Sequence, residues 1–486
     1  MMNRSTLYSP GVWRAGLLGM AGIIFLAGCA TNPKASLPAV QEAVASRSGL
    51  QVTWRQTEAE RDEAERAITT LLAEELSPER AVEIAVINNR ELRATFEDLG
   101  VSQSELIAAS RLRNPSFGVG VRWPKDRPRG PNVEFSIAAD LLDSVLLPVR
   151  RSVAREQLSQ AEQRVAHAVL SLAAEVKTAV YAVEARQQLR VRLASVVDVN
   201  AAATDLAQRQ FQAGNINQLE LANQQMAEQE ARLGLMQAEA QLRADREQLN
   251  RLLGLSGRQT GWTLPAELPP LPEADGLPDN IEDLAVTQRL DVAAMKTDVA
   301  LAEKALRLKQ KTRLLPASID LGLDTERDSD GGRVTGPRLE FALPIFDQGQ
   351  AELARLAAEL RRASARYEGL ANDVRSQVRA GRDALLAARE AAEYYQKSLV
   401  PQRRTLLRET LLHYNAMQKS SYELLAAKER LLNTERESVE ALREYWTART
   451  ALEMSLGGRL RYVPAAESAA AKEEAVPEHQ HQHGKN

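Results

Sequence analysis

Residues 339–356 read Leu339-Glu340-Phe341-Ala342-Leu343-Pro344-Ile345-Phe346-Asp347-Gln348-Gly349-Gln350-Ala351-Glu352-Leu353-Ala354-Arg355-Leu356. Two rhythms meet in this stretch. Leu339, Phe341, Leu343 and Ile345 alternate with polar positions that include Arg338 and Glu340. Beyond Gly349 the apolar residues change to a 3/4 spacing through Leu353, Leu356, Leu360, Tyr367, Leu370, Val374 and Val378. A period of two is the signature of a strand, and a period near 3.6 that of an amphipathic helix. Pro344 and Gly349 punctuate the change. A strand with one apolar and one charged face therefore leads straight into a long helix.

The prolines extend this reading along the chain. None of the 20 lies between Val149 and Leu264, and only Pro401 lies between Ile345 and Val463. Proline disrupts helix interiors, so these are two long helix-permissive blocks. In the first, Leu158, Val165, Val169, Leu172, Val176, Val180 and Val183 keep the 3/4 rhythm, and Leu235, Leu242 and Leu249 fall seven apart. In the second, Leu425, Leu432, Val439 and Trp446 do the same. Such spacing is coiled-coil-like. Each block is interrupted near its middle, by Phe211-Gln212-Ala213-Gly214-Asn215-Ile216-Asn217 and by Tyr414-Asn415-Ala416-Met417-Gln418-Lys419-Ser420. Glycine and asparagine suit helix ends, so each block is expected to be a helical hairpin. The alternative is one unbroken helix that tolerates Gly214. The first long arm, from about Val153 to Ala213, would be about 90 Å long at 1.5 Å per residue.

The chain is also written twice, with Leu76–Gly254 matching Leu277–Gly457 at an offset of roughly 200. Ala85-Val86 corresponds to Ala285-Val286, Ala154-Arg155 to Ala354-Arg355, Glu220 to Glu423, and Leu253-Gly254 to Leu456-Gly457. Each copy has a short helical stretch, then two alternating segments, then the long hairpin. In copy one the alternating segments are Phe117, Val119, Val121, Trp123 and, after a loop of Pro124 to Pro131, Val133, Phe135, Ile137. In copy two they are Ile319, Leu321, Leu323 and Leu339, Phe341, Leu343, Ile345. Four of the seven phenylalanines lie in or beside these segments. The polar alternates are Arg122, Glu134, Asp320, Asp324, Arg338 and Glu340. A soluble sandwich would turn them to water; a membrane barrel would turn them to a lumen and the apolar set to lipid. The chain offers no second sheet to pack against, which favours the barrel, and four strands cannot close one of useful diameter. Several copies must combine.

Composition agrees. The 486 residues are 44% hydrophobic, 26% charged and only 4% aromatic, with a formal charge of -3. That balance has no basic bias toward nucleic acid. A single cysteine excludes an intramolecular disulfide and a Cys-rich zinc site. It lies in Leu26-Ala27-Gly28-Cys29, after Arg4, Arg14 and an apolar stretch from Ala15 to Leu26. A charged region followed by a short apolar one is a signal peptide, and this one ends in a sequence that resembles the bacterial lipobox. Cys29 is then expected to be the acylated, palmitate-type lipid anchor of the mature chain. The alternative is an ordinary signal peptide with an incidental cysteine. The organisation expected is a signal peptide over 1–28, a lipid-anchored extension over 29–75, a first repeat over 76–255, a Pro/Gly-rich connector over 256–276, a second repeat over 277–458, and a tail over 459–486.

On these residues the chain resembles the TolC family of outer-membrane factors, in its lipoprotein branch. Pro344-Ile345-Phe346-Asp347-Gln348-Gly349 is similar to the family's strand-to-helix junction, while the first-copy junction, Asp140 to Arg151, departs from the short form. Phe211 and Gly214 followed by Leu219-Glu220-Leu221 resemble a family helix tip. Tyr414 and Met417 followed by Tyr422-Glu423-Leu424 form the second, with methionine where glycine is usual. The resemblance implies a mainly α chain with a small β part. Long helical hairpins would form a trimeric α-barrel, and four strands per chain would enter a twelve-stranded outer-membrane β-barrel. It implies a homotrimer that docks a periplasmic adaptor at the tips and serves an inner-membrane pump, with an RND-type pump exporting heavy metals or drugs expected. A type I secretion exit duct and a non-pore periplasmic coiled-coil lipoprotein are the alternatives.

A duct needs a lumen, a gate and a docking surface, and neither a cofactor nor a catalytic constellation. Arg122, Glu134, Asp320, Asp324, Arg338 and Glu340 are the lumen candidates. Phe211, Gly214, Tyr414 and Met417 are the docking candidates. Glu220, Glu423 and Lys419 are the gate candidates, since carboxylates repeated in a ring favour cations. Glu220 and Glu423 are expected one to two turns past the tips, with Lys419 pairing a carboxylate across the tip and Tyr414 donating a hydrogen bond. Ordinary solvated charges are the alternative. The tail carries His479, His481 and His483, an alternation able to bind Cu or Zn; a plain polar tail is the other reading.

Overall fold

The computed structural model describes residues 33–123, 125, 131–316, 318–328 and 331–460. Cys29, the tail histidines His479, His481 and His483, and most of the loop between Pro124 and Pro131 lie outside them.

A 3-10 turn (Pro33–Ser36) leads into α1 (Leu37–Ser48), followed by α2 (Glu58–Leu71), α3 (Pro78–Asn88) and α4 (Arg90–Ala109). A hairpin of β1 (Ser116–Arg122) and β2 (Asn132–Asp140) precedes the long hairpin of α5 (Leu141–Gln212) and α6 (Gln218–Leu253). Copy two repeats the order with α7 (Ile281–Gln288), α8 (Leu290–Thr312), β3 (Ile319–Arg327), β4 (Arg333–Phe341), α9 (Gln350–Tyr394), a π turn (Tyr395–Leu399), α10 (Val400–Asn415) and α11 (Ser421–Leu456).

The first long helix begins earlier than the sequence suggested. It starts at Leu141 and its 72 residues include Pro148, which makes it about 108 Å long. Asp140 ends β2 and caps α5, accepting from the Leu142 and Asp143 N–H groups at 2.9 and 3.2 Å. Pro148 deprives the Ser144 carbonyl of a donor, and Ser144 is exposed, so little is lost. In copy two the backbone partner withdrawn by Pro401 is Lys397, which sits inside the π turn, a wider ladder that absorbs the irregularity.

The two hairpins end alike. Gly254 and Gly457 both adopt positive φ, 68° and 74°, as left-handed caps of α6 and α11. A Cβ on Gly254 would meet the Asn88 carbonyl oxygen at 2.7 Å, and one on Gly457 the Arg289 Cα at 3.0 Å. Each glycine thus lets the end of its copy close on the start of the same copy. Asn88 and Asn89 tie that closure in copy one, donating to the carbonyls of Leu253 and Leu252, both at 2.9 Å.

Two segments expected to be peripheral are packed into the body. The stretch assigned as an N-terminal extension contributes Val40, Val44, Val52, Trp54 and Ile68 to the core around α3, α4, α5 and α6. The connector buries Trp262, Leu264 and Leu268. Trp262 donates to Asn250 Oδ1 at 2.7 Å, and the Arg246 guanidinium lies 3.9 Å over its ring. Asp275 at the connector's end accepts from Arg449 at 2.9 Å, Arg389 at 3.1 Å and the Tyr445 hydroxyl.

The strands form one antiparallel sheet in the order β1-β2-β3-β4. The two repeats therefore join at β2–β3, with Ile137 opposite Leu323. β4 stops at Phe341, short of the expected alternation to Ile345. Pro344 supplies no N–H, and the Ile345 N–H turns back to the Leu343 carbonyl at 2.9 Å, a tight turn about the proline.

Candidate functional site

The register assigns every strand residue to a face. Gly120 lies opposite Glu134, Asp324 opposite Gly336, Gly322 opposite Arg338, and Asp320 opposite Glu340. Directly opposed residues share a face, so Arg122, Glu134, Asp320, Asp324, Arg338 and Glu340 all lie together on the polar one. Arg122 pairs with Glu134 at 3.1 Å, and Arg338 contacts Asp324 at 3.8 Å and also pairs with Glu340. The polar face is therefore a laced network of both signs. The opposite face carries Phe117, Val119, Phe135, Ile137, Leu323 and Leu339, all exposed, with Phe117 69% open. Phe117 and Phe135 stack across β1 and β2 at 6.4 Å. An apolar sheet face this open has no partner within one chain.

At the other end of the hairpins lie the two tips. Each turn closes in the same way. Asn215 and Gln418 donate back to the carbonyls of Gln210 and His413, both at 2.8 Å, and Gly214 and Met417 donate to those of Phe211 and Tyr414, both at 2.9 Å. This Schellman pattern requires a left-handed residue. Gly214 provides φ 76° at no steric cost, while Met417 adopts φ 58°, the one positive-φ non-glycine among the described residues. A side chain there costs on the order of 1 kcal/mol. The Met417 side chain is 93% exposed.

The carboxylates sit closer to the turns than expected. Glu220 and Glu423 are in the first turn of α6 and α11, three residues after the caps Asn217 and Ser420. Helix N-termini favour negative charge at that position. Glu423 completes a capping box, accepting from the Ser420 N–H at 2.9 Å while Ser420 Oγ accepts from its own N–H at 3.2 Å. Lys419 pairs with Glu423 at 2.5 Å along the same helix, not with a carboxylate across the tip. The i,i+4 spacing makes the local partner the nearest one. The Lys419 hydrogen bond and then the Ser420 N–H hold the Glu423 carboxyl down to about 2. Tyr414 accepts from Ser421 Oγ at 3.5 Å rather than donating. The contact that links the tips comes from Tyr422, whose hydroxyl donates to Gln210 Oε1 at 2.8 Å, from α11 to α5. Its place in the repeat, where copy one has Leu219, was the available signal. Burial and then the nearby Glu220 push the Tyr422 phenol upward.

No group of three or more His, Cys, Asp or Glu able to hold a metal ion occurs among the described residues. What is present is a half-open sheet with a polar and an apolar face, mounted on helical hairpins over 100 Å long. That is the subunit of a membrane channel with a long helical extension.

Comparison with known proteins agrees. Residues 81–255 match the family model described as outer membrane efflux protein. The chain is 22% identical over 389 residues to the cobalt-zinc-cadmium resistance protein CzcC of Cupriavidus metallidurans, covering 79% of this chain and 90% of that protein. Among solved structures, the Campylobacter jejuni CmeC outer membrane channel aligns with a TM-score of 0.68 at 15% identity, over 82% of this chain and 89% of that one. CusC, described in terms of transmembrane channel formation, aligns with a TM-score of 0.66 at 15% identity, over 79% and 92%. The chain belongs to the outer membrane efflux protein family, whose members are outer-membrane channels and not enzymes.

Proposed function

We propose that the protein is the exit duct of a tripartite efflux system. Three copies assemble as a homotrimer, so that four strands from each close a twelve-stranded barrel with Arg122, Glu134, Asp320, Asp324, Arg338 and Glu340 on the lumen side. Cys29 carries the lipid that anchors the mature N-terminus at the outer membrane. The observation that carries this reading is the sheet itself: β1 and β4 end it with unpaired edges, and its apolar face is exposed. Open edges and a bare apolar face are both liabilities in water. Closure of a barrel in lipid removes both at once.

The helix tips are the gate and the docking surface in this reading. A periplasmic adaptor packs against the turns at Phe211, Gly214, Tyr414 and Met417, and an inner-membrane pump of the RND type supplies the cargo. The CzcC relative is named for cobalt, zinc and cadmium resistance, and the alternating His479, His481 and His483 suit the same soft cations. Both favour metal export over drug export.

Sizing of the detergent-extracted protein and planar-bilayer recording test the duct. A trimer with steady conductance is expected; a soluble monomer without conductance would overturn it. Tip gating is tested on Glu423→Ala and Lys419→Ala in the same recordings. Both substitutions break the pair that closes the second tip, so a higher open fraction and a weaker cation preference are expected. Unchanged currents in both variants would remove the gate from this position.

A further inference from the structure

One cluster outside the lumen and the tips is built for an anion. A cavity of about 320 Å³ lies between the last turns of α4 and the third and fourth turns of α5, lined by Gln103, Ser110, Arg111, Arg151 and Arg155 together with Leu106 and Ile107. Three guanidinium groups thus converge on one small space. Arg151 and Arg155 are four apart on one helix, where like charges repel. Neither makes an ion pair among the described residues, and the carboxylates of the adjoining turns are committed elsewhere. Asp143 is held by Arg113 at 3.4 Å and Arg150 at 3.0 Å, and Glu156 by Lys304. Nothing in the fold neutralises the cluster.

Its position supplies the ligand class. β2 ends at Asp140 and α5 starts at the next residue, so Arg151 lies about 16 Å along the helix from the strand end. Arg111 precedes β1 by five residues. Between the cavity and the sheet the surface is apolar and exposed, at Leu112, Leu141 and Val145, and the second-copy junction adds Ile345 and Phe346 at the same level. This belt continues the bare apolar face of the strands. Below a lipid-facing belt comes the headgroup layer, and arginine side chains are long enough to reach back into it. Arginine forks match phosphate oxygens two at a time, and basic pockets beside membrane segments suit anionic headgroups.

We propose that this cavity binds the phosphodiester headgroup of an anionic phospholipid from the periplasm-facing leaflet, with its acyl chains along Leu112, Leu141 and Val145. The proposal rests on the barrel reading above and adds a lipid seat on each protomer.

Native mass spectrometry of the full-length protein in mild detergent tests it, with phosphatidylglycerol, phosphatidylcholine or inorganic phosphate added. Phosphatidylglycerol is expected to be retained at up to one per protomer and phosphatidylcholine much less. The Arg151→Gln/Arg155→Gln variant is expected to retain at least tenfold less phosphatidylglycerol, while Arg164→Gln, further along the same helix, retains as much as the parent. Arg151→Lys/Arg155→Lys keeps the charge without the fork, safeguards against a folding defect, and is expected to fall between. Equal retention in the parent and the glutamine variant would overturn the proposal. So would displacement by millimolar inorganic phosphate, which would make the cavity a site for free anions. Conductance of the same preparations separates the two levels: a conducting channel that retains no lipid refutes the seat alone, and absence of any channel refutes the barrel.

Discussion

The two copies of the repeat bury charge in opposite ways. Copy two places Arg449 in its core, 2% exposed, and surrounds it with Asp275, the Tyr445 hydroxyl and the Leu460 carbonyl. Copy one places Glu184 on α5 with no exposed surface and neither carboxylate oxygen hydrogen-bonded, and one turn on the buried amide of Gln188 is unpartnered too. Burial, and then the charge of Glu79, push the Glu184 carboxyl up to about 8. The same architecture thus tolerates a buried ion when a network satisfies it and a buried acid when the acid stays protonated. A second contrast lies at the tips, where one turn uses Gly214 and the other forces Met417 into the same backbone geometry.

Breaking the satisfied network should have the largest effect. Asp275→Ala leaves Arg449 buried with only Glu453 nearby, at 3.7 Å. A loss of about 3 kcal/mol is expected in chemical denaturation, and a loss below about 1 kcal/mol would show that the network is dispensable. Glu184→Gln should act in the opposite direction and only at higher pH. The folded carboxyl titrates near 8 and the unfolded one near 4.5, so the folded state holds its proton more tightly. Its contribution to stability is full below about 4.5 and is lost as pH rises through about 8. The variant should therefore match the parent at pH 4.5 and exceed it by up to about 4 kcal/mol at pH 7.5. A parallel pH dependence of melting temperature in both proteins would refute this. The tip contrast predicts the smallest changes. Gly214→Ala should cost, and Met417→Gly gain, on the order of 1 kcal/mol each. Equal and opposite shifts in the melting temperature would show the tips to be the same turn, and no gain at Met417 would mean that its backbone is held by something other than the turn.

Much of the fold was legible in the residues because periodicity survives repetition. The alternation of Phe117 to Trp123 and of Leu339 to Phe341 located strands, and the proline-free blocks located the hairpins. The six polar alternates do share one face, since a period of two leaves no other choice once the strands are paired. Less legible were positions governed by distant contacts. The alternation that seemed to reach Ile345 stops at Phe341, because Pro344 cannot extend the ladder. Lys419 was expected across the tip, but a partner four residues away on its own helix is closer than any on the other hairpin. The N-terminal stretch had no strong rhythm, yet Trp54 and Ile68 are core residues.

By itself the sequence determined local structure and repetition: which stretches are helix or strand, where they turn, and that the pattern occurs twice. These follow from backbone chemistry and short-range spacing. The tertiary structure alone decided that the two repeats join through β2 and β3, that the connector's Asp275 satisfies Arg449, and that Arg111, Arg151 and Arg155 meet in one cavity. Such pairings join residues far apart in the chain. Their energy depends on distance and desolvation, which no one-dimensional pattern encodes.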